Sequence, residues 1–207
     1  MDGSSKQILP KPKHSGAVSL EEVLTRRRTV RRFQKTPLEE RLLAQLLWSM
    51  QGFVINEEKK QSHHRTSPSA GGVYPLEEYL LKQDGFFVYK PEEHSLDMIN
   101  SADLRGDLSI AASTGINQQA IADAPLTIVL AMRNESASQL SPIWEDALRY
   151  VYLETGHATQ NLILQAYALD LGVCTITSYK MGKVYEVLKI PLNHRPIYIL
   201  PIGYPQD

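Results

Sequence analysis

The stretch "YVYLETGHATQNLILQAYALDLG", residues 150 to 172, most limits what this chain can fold into. It predicts one long helix from residue 145 to about 169. Leu148, Val151, Leu162, Ile163, Leu164, Ala166 and Leu169 are spread around most of its circumference. A helix apolar nearly all round has to be covered, by a core or by a second subunit. Its buried polar members must then be satisfied. Glu154 and His157 lie three apart, on one face. That is the spacing of a carboxylate di-iron helix, which needs a second Glu-x-x-His helix, and the chain has none. A hydrogen-bonded Glu/His pair is therefore expected, and no metal.

Around this helix the chain has room for one core. Of its 207 residues, 43% are hydrophobic. Residues 1–17 are polar, with two prolines and two glycines, and read as an extended arm; 18–207 read as the domain. Ser19 can cap a helix over "SLEEVLTRRR", with Glu21 and Glu22 in its first turn. Pro37 is expected to open a second helix, with Leu38, Leu42, Leu43, Leu46 and Leu47 on its apolar face. Residues 56–72 are a polar loop long enough to suspect function. "EEYLLKQDGFFVYK" predicts a hairpin turning at Asp84-Gly85. "APLTIVLAM", "GVCTITS" and "PIYILPIG" predict buried strands. Helices and strands interleave without a steady βαβ rhythm, which favours an α+β fold.

Two stretches carry candidate chemistry. In "RRRTVRRF", residues 26–33, extended chain would send Arg27, Thr29 and Arg31 to one side. Two guanidinium forks and a hydroxyl there suit a phosphate dianion; a solvated basic turn fits the spacing equally. A nucleic-acid arm fits less well, because 22 basic residues face 23 acidic ones and no second basic cluster supports it. In "RTSPSAGGVYPLEEY", residues 65–79, proline, serine and paired glycines let backbone pass close to a flat ligand, with Ser69 as a donor to its edge. Composition alone favours an ordinary turn-rich loop. No Walker loop and no G-x-G-x-x-G fingerprint occurs.

Taken in order, "ILPKPKHSG…SLEEVLTRRRTVRRF", "RTSPSAGGVYPLEEY", "ADAPLTIVLA", "ETGHATQNLILQAYALDLG" and "YILPIGYP" resemble the nitroreductase-like flavoproteins, from about Leu9 to Pro205. Within that family the chain is most similar to the SagB-type (thiazoline/oxazoline) dehydrogenases. The resemblance implies a mixed, mostly antiparallel sheet flanked by helices, an intertwined homodimer, and FMN at the interface. It matches Arg27, Arg28, Thr29 and Arg31 to the phosphate motif, and Pro68, Ser69, Ala70 and Gly71 to the loop against the flavin ring. Gln118 matches a side chain near the flavin; Leu171 and Gly172 match the segment whose backbone approaches it. Relatives often place a basic residue on the phosphate just beyond the last strand, whereas here none follows Arg195. The dehydrogenase branch uses a lysine-tyrosine pair, and the nearest feature is Tyr179-Lys180, in reversed order and in what reads as a solvated loop.

The implied activity is two-electron transfer through flavin N5 in ping-pong order, with NAD(P)H as a donor and a small-molecule or peptide substrate. The alternative is a non-catalytic flavin-binding or scaffolding protein that keeps the fold. No protein nucleophile is needed, and Cys174, the only cysteine, reads as a buried small hydrophobe. The absence of a disulfide framework, of an apolar run of roughly 18 residues and of a signal-peptide core predicts a cytoplasmic protein that engages neither membrane nor nucleic acid.

Overall fold

The computed structural model describes residues 6–54, 64–112 and 114–206. The first eight positions of the polar loop expected at 56–72 lie outside these. Seven strands, β1 (Lys6–Ile8), β2 (Leu76–Lys82), β3 (Gly85–Lys90), β4 (Ser95–Asn100), β5 (Leu126–Arg133), β6 (Gly172–Val173) and β7 (His194–Gly203), form one sheet in the order β1-β4-β3-β2-β5-β7-β6. Every neighbouring pair is antiparallel. The helices are α1 (Leu20–Arg26), α2 (Glu40–Gln51), α3 (Arg105–Ala112), α4 (Gly115–Asp123), α5 (Asn134–Ala137), α6 (Trp144–Ala168) and α7 (Met181–Leu188). The α+β expectation and the mostly antiparallel sheet both hold.

The central strands are apolar on both faces because each face meets a different layer. Leu76 and Leu80 of β2, with Leu126, Ile128, Leu130 and Met132 of β5, pack in a core with α2 and α6. Tyr79, Leu81, Val129 and Ala131 face the opposite way, onto Leu108 of α3 and Val184 and Leu188 of α7. The alternation is the pleat of the strands.

Helix α6 is as long as its sequence predicts, but a single chain covers only one side of it. Ala147, Val151, Glu154, Thr155, Ala158, Thr159, Leu162 and Ala166 form the buried stripe. Trp144, Tyr150, Tyr152 and Leu153 stay exposed, Leu153 at 55%.

Other expectations shift in detail. Ser19 does cap α1, accepting from the Glu22 N–H at 3.1 Å. Helix α2 begins at Glu40 rather than Pro37, because its first turn closes on the Glu39 carbonyl. The hairpin turns at Gln83-Asp84, and Gly85 already pairs with Lys82. "GVCTITS" is a strand only at Gly172–Val173; beyond it, Ile176 makes one bridge to Ile199. Helices α3, α4 and α7 were not read from the sequence.

From Lys6 onward, the segment expected as an arm is docked on the sheet. It pairs as β1 with β4, Lys6 forms an ion pair with Glu93, and Gln45 holds Lys13 by two hydrogen bonds. His94 pins it most closely. Its backbone carbonyl accepts the Leu9 N–H at 3.0 Å, and its Nε2 meets the Pro10 carbonyl at 3.0 Å. Tyr89 Oη lies 2.8 Å from its Nδ1. Burial pulls this imidazole below its ordinary value of 6.5, with the Pro10 carbonyl opposing. A base with a lowered folded pKa keeps its full contribution above the ordinary value and loses it as pH falls below. The protection factor of the Leu9 amide, its exchange rate relative to the intrinsic rate at the same pH, should therefore fall as pH drops below 6.5. His94→Asn tolerates the φ of 48° there and should remove that dependence. An unchanged dependence in the variant would show that the ring does not hold the segment.

Candidate functional site

The arginine segment is fixed by backbone. After α1 ends at Arg26 the chain runs extended along the free edge of β6. Thr29 bridges Val173 in parallel, and the Val30 N–H donates to the Val173 carbonyl at 3.1 Å. Farther on, Phe33 bridges Pro205 and Gln34 N–H donates to Tyr204. Gly172 makes this approach possible, since a Cβ there would fall 2.6 Å from the Val30 side chain. Thus Arg27, Arg28, Thr29, Arg31, Leu171 and Gly172, chosen from sequence, are brought together. Arg28 and Leu171 line one cavity of about 370 Å³ with Arg26, Tyr167 and Asp170. Arg31 lies on another side, where its charge opposes the burial that raises the Cys174 thiol. Gln118 sits half-buried on α4, and Ala120 and Ala124 beyond it pack on Val30 and Phe33.

The charges of this segment are not consumed internally. Arg26, Arg41, Arg65, Arg105, Arg133 and Arg149 each meet a carboxylate. Among the described residues, Arg27, Arg28, Arg31 and Arg32 have no ion pair, and all four are exposed. Exposed like charges held on one edge repel one another, and an anion placed among them would relieve that repulsion.

The loop of Pro68, Ser69, Ala70 and Gly71 lies elsewhere on α6. Ser69 Oγ donates to Glu154 Oε2 at 2.5 Å and accepts the Tyr74 N–H at 2.9 Å. Gly71 takes a φ of 60°, a left-handed conformation that a side chain would strain. Asn161 Nδ2, two helical turns past Glu154, donates to the Thr66 carbonyl at 3.0 Å. Beneath the loop, the buried Arg65 guanidinium lies between the rings of Phe53 and Tyr74, 5.3 and 4.6 Å from their centroids. It donates to Gln51 and Glu92.

These partners correct one expectation: Glu154 is bonded to Ser69, while His157 is exposed. No group of residues that could hold a metal occurs among the described residues. Burial raises the Glu154 carboxyl; Ser69, Gln51, Arg65 and Arg133 oppose it. Glu154, Gln51, Arg65 and Tyr74 were not read as site residues. Their signal was a carboxylate and an amide seven positions apart on an apolar helix, facing one loop.

Tyr179 is half-buried against the α3/α7 core, and burial pushes its phenol up to about 12. Lys180 is exposed and starts α7, its N–H bonded to the Ala112 carbonyl. The two residues lie in the expected loop, which ends where Lys180 caps α7, but Tyr179 is half-buried rather than solvated.

The two clusters are held apart by α6. The Arg28 carbonyl accepts from Tyr167, whereas Ser69 is held by Glu154. At 1.5 Å per residue these anchors stand about 20 Å apart along the axis.

The fold and the site define an α+β protein with an arginine cluster and a separate, glycine-bearing loop, both attached to one long helix. The chain belongs to the nitroreductase family, an oxidoreductase family whose model matches residues 24–204. It is 33% identical over 192 residues to the candidate nitroreductase MJ1384 of Methanocaldococcus jannaschii, covering 90% of this chain and 91% of that protein. A candidate nitroreductase of Ralstonia eutropha JMP134 has the same fold, with a TM-score of 0.85 at 23% identity, over 100% of this chain and 93% of that one. A chain of the E. coli microcin synthetase McbBCD complex, with truncated pro-MccB17 bound, matches with a TM-score of 0.72 at 20% identity, over 97% of this chain and 79% of that one. No helix among the described residues is long and apolar enough to cross a membrane.

Glu78, fully buried on β2 beside Arg65, gives a separate test of the polar layer. Burial raises its carboxyl from 4.5 to about 8, against Arg65 and Arg133. An acid with a raised folded pKa contributes fully below its ordinary value and loses that contribution as pH rises toward the raised one. Wild-type stability should therefore carry a loss between 4.5 and about 8 that Glu78→Gln lacks. Urea unfolding at several pH values measures both slopes. Equal slopes would mean that Glu78 is already ionised in the fold.

Proposed function

We propose that this chain is an FMN-dependent oxidoreductase that transfers two electrons in ping-pong order and works as an intertwined homodimer. One observation carries the reading. Among the described residues, Arg27, Arg28 and Arg31 have no ion pair, yet their backbone is clamped to the sheet edge beside the Thr29 hydroxyl. A fixed cluster of uncommitted guanidinium forks suits one phosphate group. Its size favours FMN over a dinucleotide.

The residues fit the cofactor. Arg27, Thr29 and Arg31 would hold its phosphate, with Arg28 at the margin. The backbone at Leu171 and Gly172 and the side chain of Gln118 would approach the ring from the same chain. Bound FMN supplies hydride chemistry at its N5. The chain's own part is to anchor, orient and exclude water. Cys174 is buried and takes no part, and Tyr179 and Lys180 are assigned no step.

The loop of Pro68, Ser69, Ala70 and Gly71 would cover the ring from the partner chain. Two facts favour this arrangement. The anchors of the two clusters stand about 20 Å apart on one helix, and that helix leaves Trp144, Tyr152 and Leu153 uncovered. A two-fold axis would bury those side chains and bring one chain's loop to the other's arginines.

Donor and acceptor would use one pocket in turn. NAD(P)H is the donor class we propose. The microcin synthetase likeness is the reason for including a peptide-borne substrate beside small molecules, and for the SagB-type reading. The cytoplasm suits all of this.

Flavin released by denaturing the purified protein should run as FMN on chromatography. FAD, or no flavin after reconstitution, would sink the reading. Arg31→Ala should weaken FMN binding roughly ten- to a hundred-fold, as loss of a charged hydrogen bond does, and Arg32→Ala far less. Equal losses would mean a diffuse field rather than a site. Varying NAD(P)H at several fixed acceptor concentrations should give parallel double-reciprocal lines; intersecting lines would require a second pocket. Flavin binding without turnover would favour the non-catalytic alternative.

A further inference from the structure

The Ser69 hydroxyl has one proton and two lone pairs. The proton goes to Glu154 Oε2 at 2.5 Å, and one lone pair takes the Tyr74 N–H at 2.9 Å. So disposed, Ser69 has nothing to donate to a ligand lying over the loop. Glu154 is 2% exposed, and among the described residues its second oxygen, Oε1, has no hydrogen-bond partner. A proton gained by this carboxyl would reverse the contact. The acid would donate to the remaining lone pair of Ser69, and the Ser69 proton would be free to turn outward. The loop itself would stay in place, because Asn161 holds Thr66 through a bond that does not titrate.

We propose that Glu154 is a positioning residue of the flavin half-site: on gaining a proton, it converts Ser69 from a donor to the protein into a donor to the ligand. FMN binding at the loop would then draw a proton into the carboxyl. This rests on the FMN reading above.

The surroundings of the carboxyl suit the exchange. Ser69 and Arg65 face it from the loop, Gln51 from α2 and Arg133 from the end of β5. Glu78 on β2 shares the Arg65 charge. Burial outweighs these neighbours and raises the Glu154 carboxyl, so its neutral form is within easy reach. With a raised value, the neutral form is lost as pH rises through it. The donor to the ligand is lost with it, and affinity falls on the alkaline side.

The test is FMN binding to the apoprotein, read by flavin fluorescence between about pH 5 and about pH 9. Glu154→Gln keeps a permanent donor to Ser69 Oγ, so it mimics the protonated acid. Ser69→Ala has no donor at any pH. The titrations of FMN itself are common to all three proteins and cancel in ratios of affinity. Wild type should match Glu154→Gln at low pH and fall below it by roughly three- to tenfold at high pH, the worth of one neutral hydrogen bond. It should approach Ser69→Ala at high pH. Calorimetry in two buffers of different ionisation heat should find proton uptake by wild type that Glu154→Gln lacks. If Glu154→Gln does not fold, the ratio to Ser69→Ala carries the same comparison. Flat ratios, or equal proton uptake, overturn this inference and leave the FMN reading standing. No FMN binding by wild type at any pH overturns both.

Discussion

The hydrogen bond from the Val30 N–H to the Val173 carbonyl, 3.1 Å long, joins the arginine segment to the sheet. The Phe33–Pro205 bridge and the Tyr167 bond to the Arg28 carbonyl hold the same segment on either side of it. With it, Thr29 becomes the outermost rung of β6, and its neighbours are held at a defined edge. Gly172 makes room for the bond, and the small cluster of Val30, Phe33, Ala120 and Ala124 supports it from beneath. Sequence positions more than a hundred residues apart thereby become one site.

Helix α6 then sets where that site can and cannot be completed. Its C-terminal end receives the arginine segment through Tyr167, and its middle receives the 65–74 loop through Glu154 and Asn161. The first attachment uses the half-buried Tyr167, the second the buried Glu154 and the half-buried Asn161. Each has a partner because an unpaired buried group is costly. The same bonds that stabilise the helix in the fold also fix the distance between the two clusters.

Much of this was legible in the residues. The length of α6, the Ser19 cap and the β5 strand followed from period and capping, whereas the grouping of the arginine motif with Leu171 and Gly172 was implied by the family resemblance. Other features were not local. Glu154 was assigned to His157, three residues away, because helical spacing is visible in sequence, whereas a serine 85 positions upstream is not. The start of α2 at Glu40 and the turn at Gln83-Asp84 depend on which carbonyl closes first, a choice made by tertiary packing. Helices α3 and α4 have weaker apolar patterns than α2, and α7 has a clear apolar face but only eight residues to show it. The buried Glu78 carboxyl could not be foreseen, because nothing in "LEEYLLK" tells which of its two glutamates turns inward.

The central claim is that one cofactor is held by the arginines of one chain and the loop of another. Mixing two variant chains tests it directly. One carries Arg31→Ala, which disables the phosphate half; the other carries Gly71→Val, which strains the loop at its φ of 60°. Each alone should bind FMN weakly. If the halves come from different chains, every mixed dimer has one site with both halves intact, and tight FMN binding should return on mixing. If each chain builds its whole site by itself, no combination contains an intact one. Binding that stayed weak in demonstrably mixed dimers would contradict the account.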